Sequence, residues 1–198
     1  MSRNFSSFSQ KLLRTQDRDD MNIRKAAAAD VPAADVPAAA AIYERIHDME
    51  EQGKAVIGWI RGVYPTEETA GKMLRDLFVM EDGGRIVASA VINQAQVPCY
   101  AEARWSVRAP DNEVMVLHTL TVDPDCGGRG FGRAFVRFYE EYARRHGCLH
   151  LRMDTNAINV RARIMYRRLG YTEADIVDCT FNGIPGVRLV CLEKELSA

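Results

Sequence analysis

The residues best suited to chemistry in this 198-residue chain fall in one run, Val122-Asp123-Pro124-Asp125-Cys126-Gly127-Gly128-Arg129-Gly130-Phe131-Gly132-Arg133. An apolar strand pattern ends at Val122, four glycines fall within the six positions 127–132, and an amphipathic helix pattern follows at once. Glycine lets main chain approach a ligand closely, and a helix start offers unpaired N–H groups at the positive end of a dipole. That combination binds anions, above all phosphates. Arg129 and Arg133 add positive charge beside it. A Walker A loop would need lysine and a hydroxyl residue after its last glycine, but Arg133 and Ala134 follow Gly132. A dinucleotide fingerprint would need a third glycine where Arg133 stands. Cys126, next to the turn, would need a base in reach to act as a nucleophile, and no neighbour in sequence supplies one.

Composition narrows the choices. A formal net charge of −1 gives no global attraction to nucleic acid or to an anionic membrane, so local groups must hold any phosphate. The 5 cysteines are odd in number and contain no C-x-x-C pair, which argues against a disulfide framework or a zinc site and for a reducing, cytoplasmic setting. Of the 4 histidines only His146 and His150 are spaced four apart, with Gly147 between them, so no metal is expected. No apolar run approaches the roughly 18 residues of a membrane span.

A second motif lies downstream: Asn159-Val160-Arg161-Ala162-Arg163-Ile164-Met165-Tyr166-Arg167-Arg168-Leu169-Gly170-Tyr171. The two stretches in this order resemble the motifs of the GNAT family of N-acetyltransferases, [QR]-x-x-G-x-[GA] followed by N-x-x-A-x-x-L-Y-x-x-L-G-[FY]. Gly130 and Gly132 take the small positions of the first motif, and Gly127 departs from its leading Gln or Arg. The resemblance covers residues from about 21 to the C-terminus and is strongest over 113–171.

That resemblance implies an α/β (α+β) fold: a mixed, mostly antiparallel sheet of six to seven strands, splayed between the fourth and fifth and flanked by about four helices. It implies acetyl-CoA as cosubstrate, with the pantetheine arm along the main chain of Leu120, Thr121 and Val122 as an added strand. The pyrophosphate would meet the amides of the turn Gly127, Gly128, Arg129, Gly130, Phe131, Gly132 and Arg133, and Asn159 would hydrogen-bond the arm. The reaction implied is direct attack by a primary amine, on a small molecule or a peptide, in a ternary complex. A non-catalytic acyl-CoA sensor is the other class the cleft would suit. Many family members pair as homodimers, and the sequence leaves that state open.

Such an amine, with a pKa of about 10, is roughly one part in a thousand neutral at pH 7, so a base is needed. Strand alternation puts His118 on one face with Val114, Val116, Leu120 and Val122, where it would line the cofactor arm and act as the base; Glu113 is the alternative, through water. Tyr166 matches the family tyrosine that serves the leaving thiolate. A phenol near 10 and a thiol near 8.5 differ by about 1.5 units, so a hydrogen bond to the thiolate is as credible as full transfer. Trp59, Arg61 and Tyr64 would shape the amine pocket, with Asn93, Tyr100 and Trp105 as lesser candidates.

The elements that must position these groups follow from patterning. Residues 1–20, rich in Ser, Arg and Gln, read as a flexible extension ahead of a domain over 21–198. A first strand begins at Met21. The five-residue duplication at 29–38 is too short to be a repeat architecture, and Asp35 with Pro37 starts a helix through Met49. Thr66 caps a second helix. Leu77–Glu81 and Ile86–Asn93 form a hairpin across Asp82-Gly83-Gly84. Helices over 133–146 and 159–169 flank a strand near 149–153, and strands near 176–181 and 187–193 finish the chain.

Overall fold

The computed structural model describes residues 21–27 and 35–197. The expected extension 1–20 and most of the duplicated segment lie outside the described residues. A seven-stranded sheet runs through the molecule in the order β1 (Met21–Lys25), β2 (Leu77–Asp82), β3 (Arg85–Asn93), β4 (Val114–Val122), β5 (His150–Asn156), β7 (Ile184–Glu195), β6 (Thr172–Phe181). Every pairing is antiparallel except β4 with β5. Four α-helices stand among the described residues: α1 (Asp35–Glu51), α2 (Glu67–Lys72), α3 (Phe131–Arg145) and α4 (Val160–Arg168).

Local chemistry accounts for these elements. Thr66 accepts from the amide of Thr69 while the Thr69 hydroxyl accepts from the Thr66 amide, a complete capping box for α2. Helix α3 turns Phe131, Phe135, Val136, Tyr139 and Ala143 onto the sheet, where they join Met115, Leu117, Leu151 and Met153 in the largest core. The buried Tyr139 hydroxyl donates to the carbonyls of Met115 (2.6 Å) and Arg152 (3.1 Å), tying α3 to both strands of the parallel pair. Helices α1 and α2 cover the other face with Val36, Ala39, Tyr43 and Ala70 against Leu77, Val79 and Val91. A third cluster, around Tyr100, Val116, Val187 and Leu189, fills the space beside β6 and β7.

Two expectations shift. β6 begins at Thr172, four residues before its apolar stretch, because Thr172–Asp175 is an edge segment paired on one side to β7, with Glu173 and Asp175 held by Arg163 and Arg104. More consequential is β4. Ser89 pairs with Thr121 and Val91 with His118, so two steps on β3 face three on β4, and Thr119 takes the extra residue with φ of +50°. The alternation therefore changes phase at Thr119: Val114 and Val116 pack in the third cluster, whereas Leu120 and Val122 pack beside the α3 face. His118 does not share a face with Leu120 and Val122.

Candidate active site

The sheet opens at its centre. β4 and β5 pair only from Val114↔His150 to Leu117↔Met153, and beyond Leu117 the β5-facing edge of β4 is unpaired. The bulge at Thr119 sits just past that point and turns the end of β4 away from β5.

The glycine turn closes this end. Asp123, fully buried, accepts from Arg45 of α1 (3.1 and 2.9 Å), from Arg85 of β3 and from the amide of Asp125 (3.0 Å). Burial alone would push its carboxyl up; the Arg45 guanidinium, the Asp125 amide and Arg85 outweigh that and hold it below the usual range. So anchored, the chain passes Pro124 and reaches Gly130, whose φ of +86° lets it turn directly into α3. The amide of Ala134 bonds the Gly130 carbonyl as the first link of the helix. The amides of Gly128, Arg129, Gly130, Phe131, Gly132 and Arg133 have no acceptor among the described residues, and Gly127–Gly130 are exposed. Among the described residues, Gly127 alone donates within the turn, to Pro124. Arg129 lies over the Phe131 ring (4.7 Å to its centre) and pairs with Asp82 at 2.8 Å; Arg133 is exposed. An anion at the helix head would meet main-chain donors flanked by these two cations.

Between the strands lies a cleft that brings together Leu120, Asn159, Tyr166, Trp59 and Tyr64, five of the residues selected from sequence. Asn159 caps α4, its Oδ1 accepting from the Ala162 amide (3.2 Å), which leaves its amide nitrogen for a ligand. Tyr166 is buried on the inner side of α4, stacked edge-on against Tyr171, and its hydroxyl has no hydrogen bond among the described residues. Burial, with the Asp154 carboxylate nearby, pushes its phenol well above the usual value.

The opposite wall is held from α1. Both oxygens of Glu50 accept amides of the following loop, from Ile57 (2.8 Å), Gly58 (2.6 Å) and Trp59 (3.0 Å). His47 Nε2 bonds the Pro65 carbonyl (3.0 Å) and fixes the loop's far end. Trp59 meets Tyr64 edge-on, and the Tyr64 hydroxyl bonds the hydroxyl of Thr119 at the bulge.

Other expected residues are placed elsewhere. His118 points toward β3: its Nε2–H donates to Oδ1 of Asn93 (3.1 Å), an acceptor because the Asn93 amide nitrogen donates to Asp76. Burial pushes its imidazole down to about 4, so it stays neutral. It is a histidine satisfied inside the sheet and does not line the cleft. Glu113 is exposed in the 3-10 turn Asp111–Glu113, at the end of β4 away from the bulge; it lies five positions from His118, roughly 17 Å of strand. The Thr121 hydroxyl is tied to Ser89 (2.8 Å).

One group escaped the sequence reading. Asp154 of β5 lines the cleft with Tyr166, and its Oδ2 accepts from the Tyr100 hydroxyl (2.7 Å). Burial raises its carboxyl to about 6, against the opposing pull of that hydrogen bond. The available signal was its phase: Leu151 and Met153 join the α3 core, which turns Asp154, the one acid of β5, to the other face.

Residues 37–171 match the model of the Acetyltransferase (GNAT) family. An uncharacterized N-acetyltransferase of Methanocaldococcus jannaschii is 29% identical over 125 residues, a stretch covering 63% of this chain and 54% of that protein, so the chain matches about half the length of this relative. Two solved structures share the fold. A GCN5-related N-acetyltransferase from Kribbella flavida superposes with TM-score 0.63 at 21% identity, over 90% of this chain and 99% of the other. A Salmonella typhimurium protein, solved with its cofactor acetyl-CoA, does so with TM-score 0.58 at 18% identity, over 90% and 95%. With the two motifs on a splayed seven-stranded sheet and the family match spanning most of the sequence, the chain belongs to the GNAT family of acetyltransferases.

Proposed function

We propose that this protein transfers an acetyl group from acetyl-CoA to a primary amine by direct attack in a ternary complex. The observation that carries the reading is the row of acceptor-free amides from Gly128 to Arg133 at the head of α3, together with a cleft lined by Leu120, Asn159 and Tyr166. These donors fit a diphosphate, and the unpaired edge of β4 beyond Leu117 fits an extended amide-bearing arm. Acetyl-CoA supplies an activated thioester. Main-chain donors at the turn bind and orient it, and the Asn159 amide hydrogen-bonds the arm. An unpaired N–H in the Leu120–Val122 stretch meets the carbonyl oxygen as negative charge develops on it. Tyr166, enclosed and neutral, holds a hydrogen bond toward the departing sulfur. Trp59 and Tyr64 exclude water from the acceptor's approach. The family tie and the acetyl-CoA complex of the Salmonella protein lend the reading further support.

The test has two parts. Calorimetry should register acetyl-CoA binding by the wild-type chain. Tyr166→Phe should then lower kcat tenfold or more, about 1.4 kcal/mol or above in barrier, while acetyl-CoA affinity changes little. Unaltered turnover would remove Tyr166 from the mechanism.

A further inference from the structure

Asp154 is the only charged side chain lining the cleft among the described residues. The titratable groups that face it are Tyr64 from the loop after α1, Tyr100 from the 3-10 turn Pro98–Glu102, Tyr166 from α4, Cys179 from β6, and Cys191 of β7, which pairs with Asp154 across the strands. Burial raises every one of these, so all are neutral at pH 7, and no cation pairs with Asp154 among the described residues. Enclosing a carboxylate without a countercharge is costly. A ligand cation would relieve that cost, and the surrounding surface describes the rest of the ligand. Trp59, Tyr64, Phe181, Ile184 and Val187 offer apolar area, and among the described residues no Arg or Lys lines the cleft to receive a carboxylate.

We propose that Asp154 anchors the ammonium of the acceptor and accepts its proton, and that the acceptor is a compact monoamine with an apolar body and no carboxylate. This rests on the acetyl-transfer reading. The ammonium sheds two protons as its nitrogen bonds the acetyl carbon and the carbon–sulfur bond breaks. One passes to Asp154 and on to solvent; the other ends on the thiol, with the Tyr166 hydroxyl alongside. The sulfur keeps the electron pair of the broken bond, so the products are an amide, a thiol and one released proton. Tyr100 is a positioning residue: its hydroxyl holds Oδ2 in place and favours the ionised form.

The sign of the pH dependence follows. A protonated Asp154 cannot hold an ammonium, so kcat/KM for the amine should fall as pH drops through about 6. In Tyr100→Phe the loss of the hydrogen bond should move that limb to higher pH. Asp154→Asn, which keeps the side-chain shape, should lose 100-fold or more in kcat/KM and abolish the limb, with acetyl-CoA affinity and melting temperature maintained. Among wild-type substrates, n-alkyl and arylalkyl monoamines should exceed the matching α-amino acids, phenethylamine over phenylalanine for example, by 100-fold or more. If acetyl-CoA binds but Asp154→Asn stays within threefold of wild type, or keeps the acidic limb, the role of Asp154 is overturned. α-Amino acids as the better substrates, or no turnover on any monoamine while acetyl-CoA binds, would overturn the acceptor class. Failure of the wild-type chain to bind acetyl-CoA would overturn the acetyl-transfer reading itself, and this inference with it.

Discussion

The glycine turn at the head of α3 and the aromatic pocket around Trp59, Tyr64 and Asp154 are built from different material. The turn offers main-chain amides from six consecutive residues, 128 to 133, and its side chains matter chiefly by being absent. The pocket is built of side chains gathered from the loop after α1, from β5 and from β6–β7, more than a hundred residues apart along the chain. A main-chain site is local, so few substitutions can retune it; a side-chain site is long-range, and each contributing strand can change independently. This division suits a fold that keeps one cosubstrate and varies the other.

The two regions meet at Asp123. Arg45 reaches it from α1, the same helix whose Glu50 pins the pocket loop, and Arg85 reaches it from β3. Asp123→Ala would strip a fully buried acceptor from both guanidiniums and from the Asp125 amide. The expected cost is about 3 kcal/mol, at the low end for a broken buried pair because both arginines can rehydrate. Urea denaturation measures it, and binding of acetyl-CoA and of amine should weaken together. A loss below about 1 kcal/mol would mean that packing alone joins the two regions.

A change confined to the turn should separate them. Gly130 has φ of +86°, a conformation in which a β-branched residue is strained by about 2 kcal/mol. Gly130→Val should raise the acetyl-CoA Kd about 30-fold, while fluorescence of Trp59 and Trp105, both on the acceptor side, is unaltered. A spectral change of the same size as a deliberate loop disruption would show that the regions are not independent.

What could be read in advance divides along the same line. The turn was legible because its free amides lie in consecutive residues: a strand end, glycines from 127 to 132 and a helix start. Asn159 and Tyr166 were legible because one helix carries both at fixed spacing. His118 misled because alternation presumes a regular strand, and the one-residue bulge at Thr119 carries no marker such as glycine or proline. Asp154 was only half legible, its face readable from strand phase but its partners not, for a related reason. Its meaning comes from the register that sets it beneath Tyr100 and beside Tyr166, contacts 54 and 12 positions away, and no local pattern encodes that register. Strand existence was read well and strand extent less so, because the polar start of β6 is a strand only through its partner β7.

The smallest expected effect tests the pocket side alone. Gly58 has φ of +88°, and a methyl group there would sit 2.3 Å from Nδ2 of Asn156 and 3.1 Å from Cδ1 of Ile158. The nearest obstacle is the end of a polar side chain, which can swing aside, so Gly58→Ala should not prevent folding. The backbone strain persists whichever way Asn156 moves, and it falls on the middle of the three amides held by Glu50. The loop should lift slightly from β5, carrying Trp59 with it. The amine KM should rise about fivefold, roughly 1 kcal/mol, with acetyl-CoA Kd unchanged. Should cosubstrate affinity fall by the same factor, the loop and the glycine turn would have to be treated as one unit, and the separation of the two regions would be wrong.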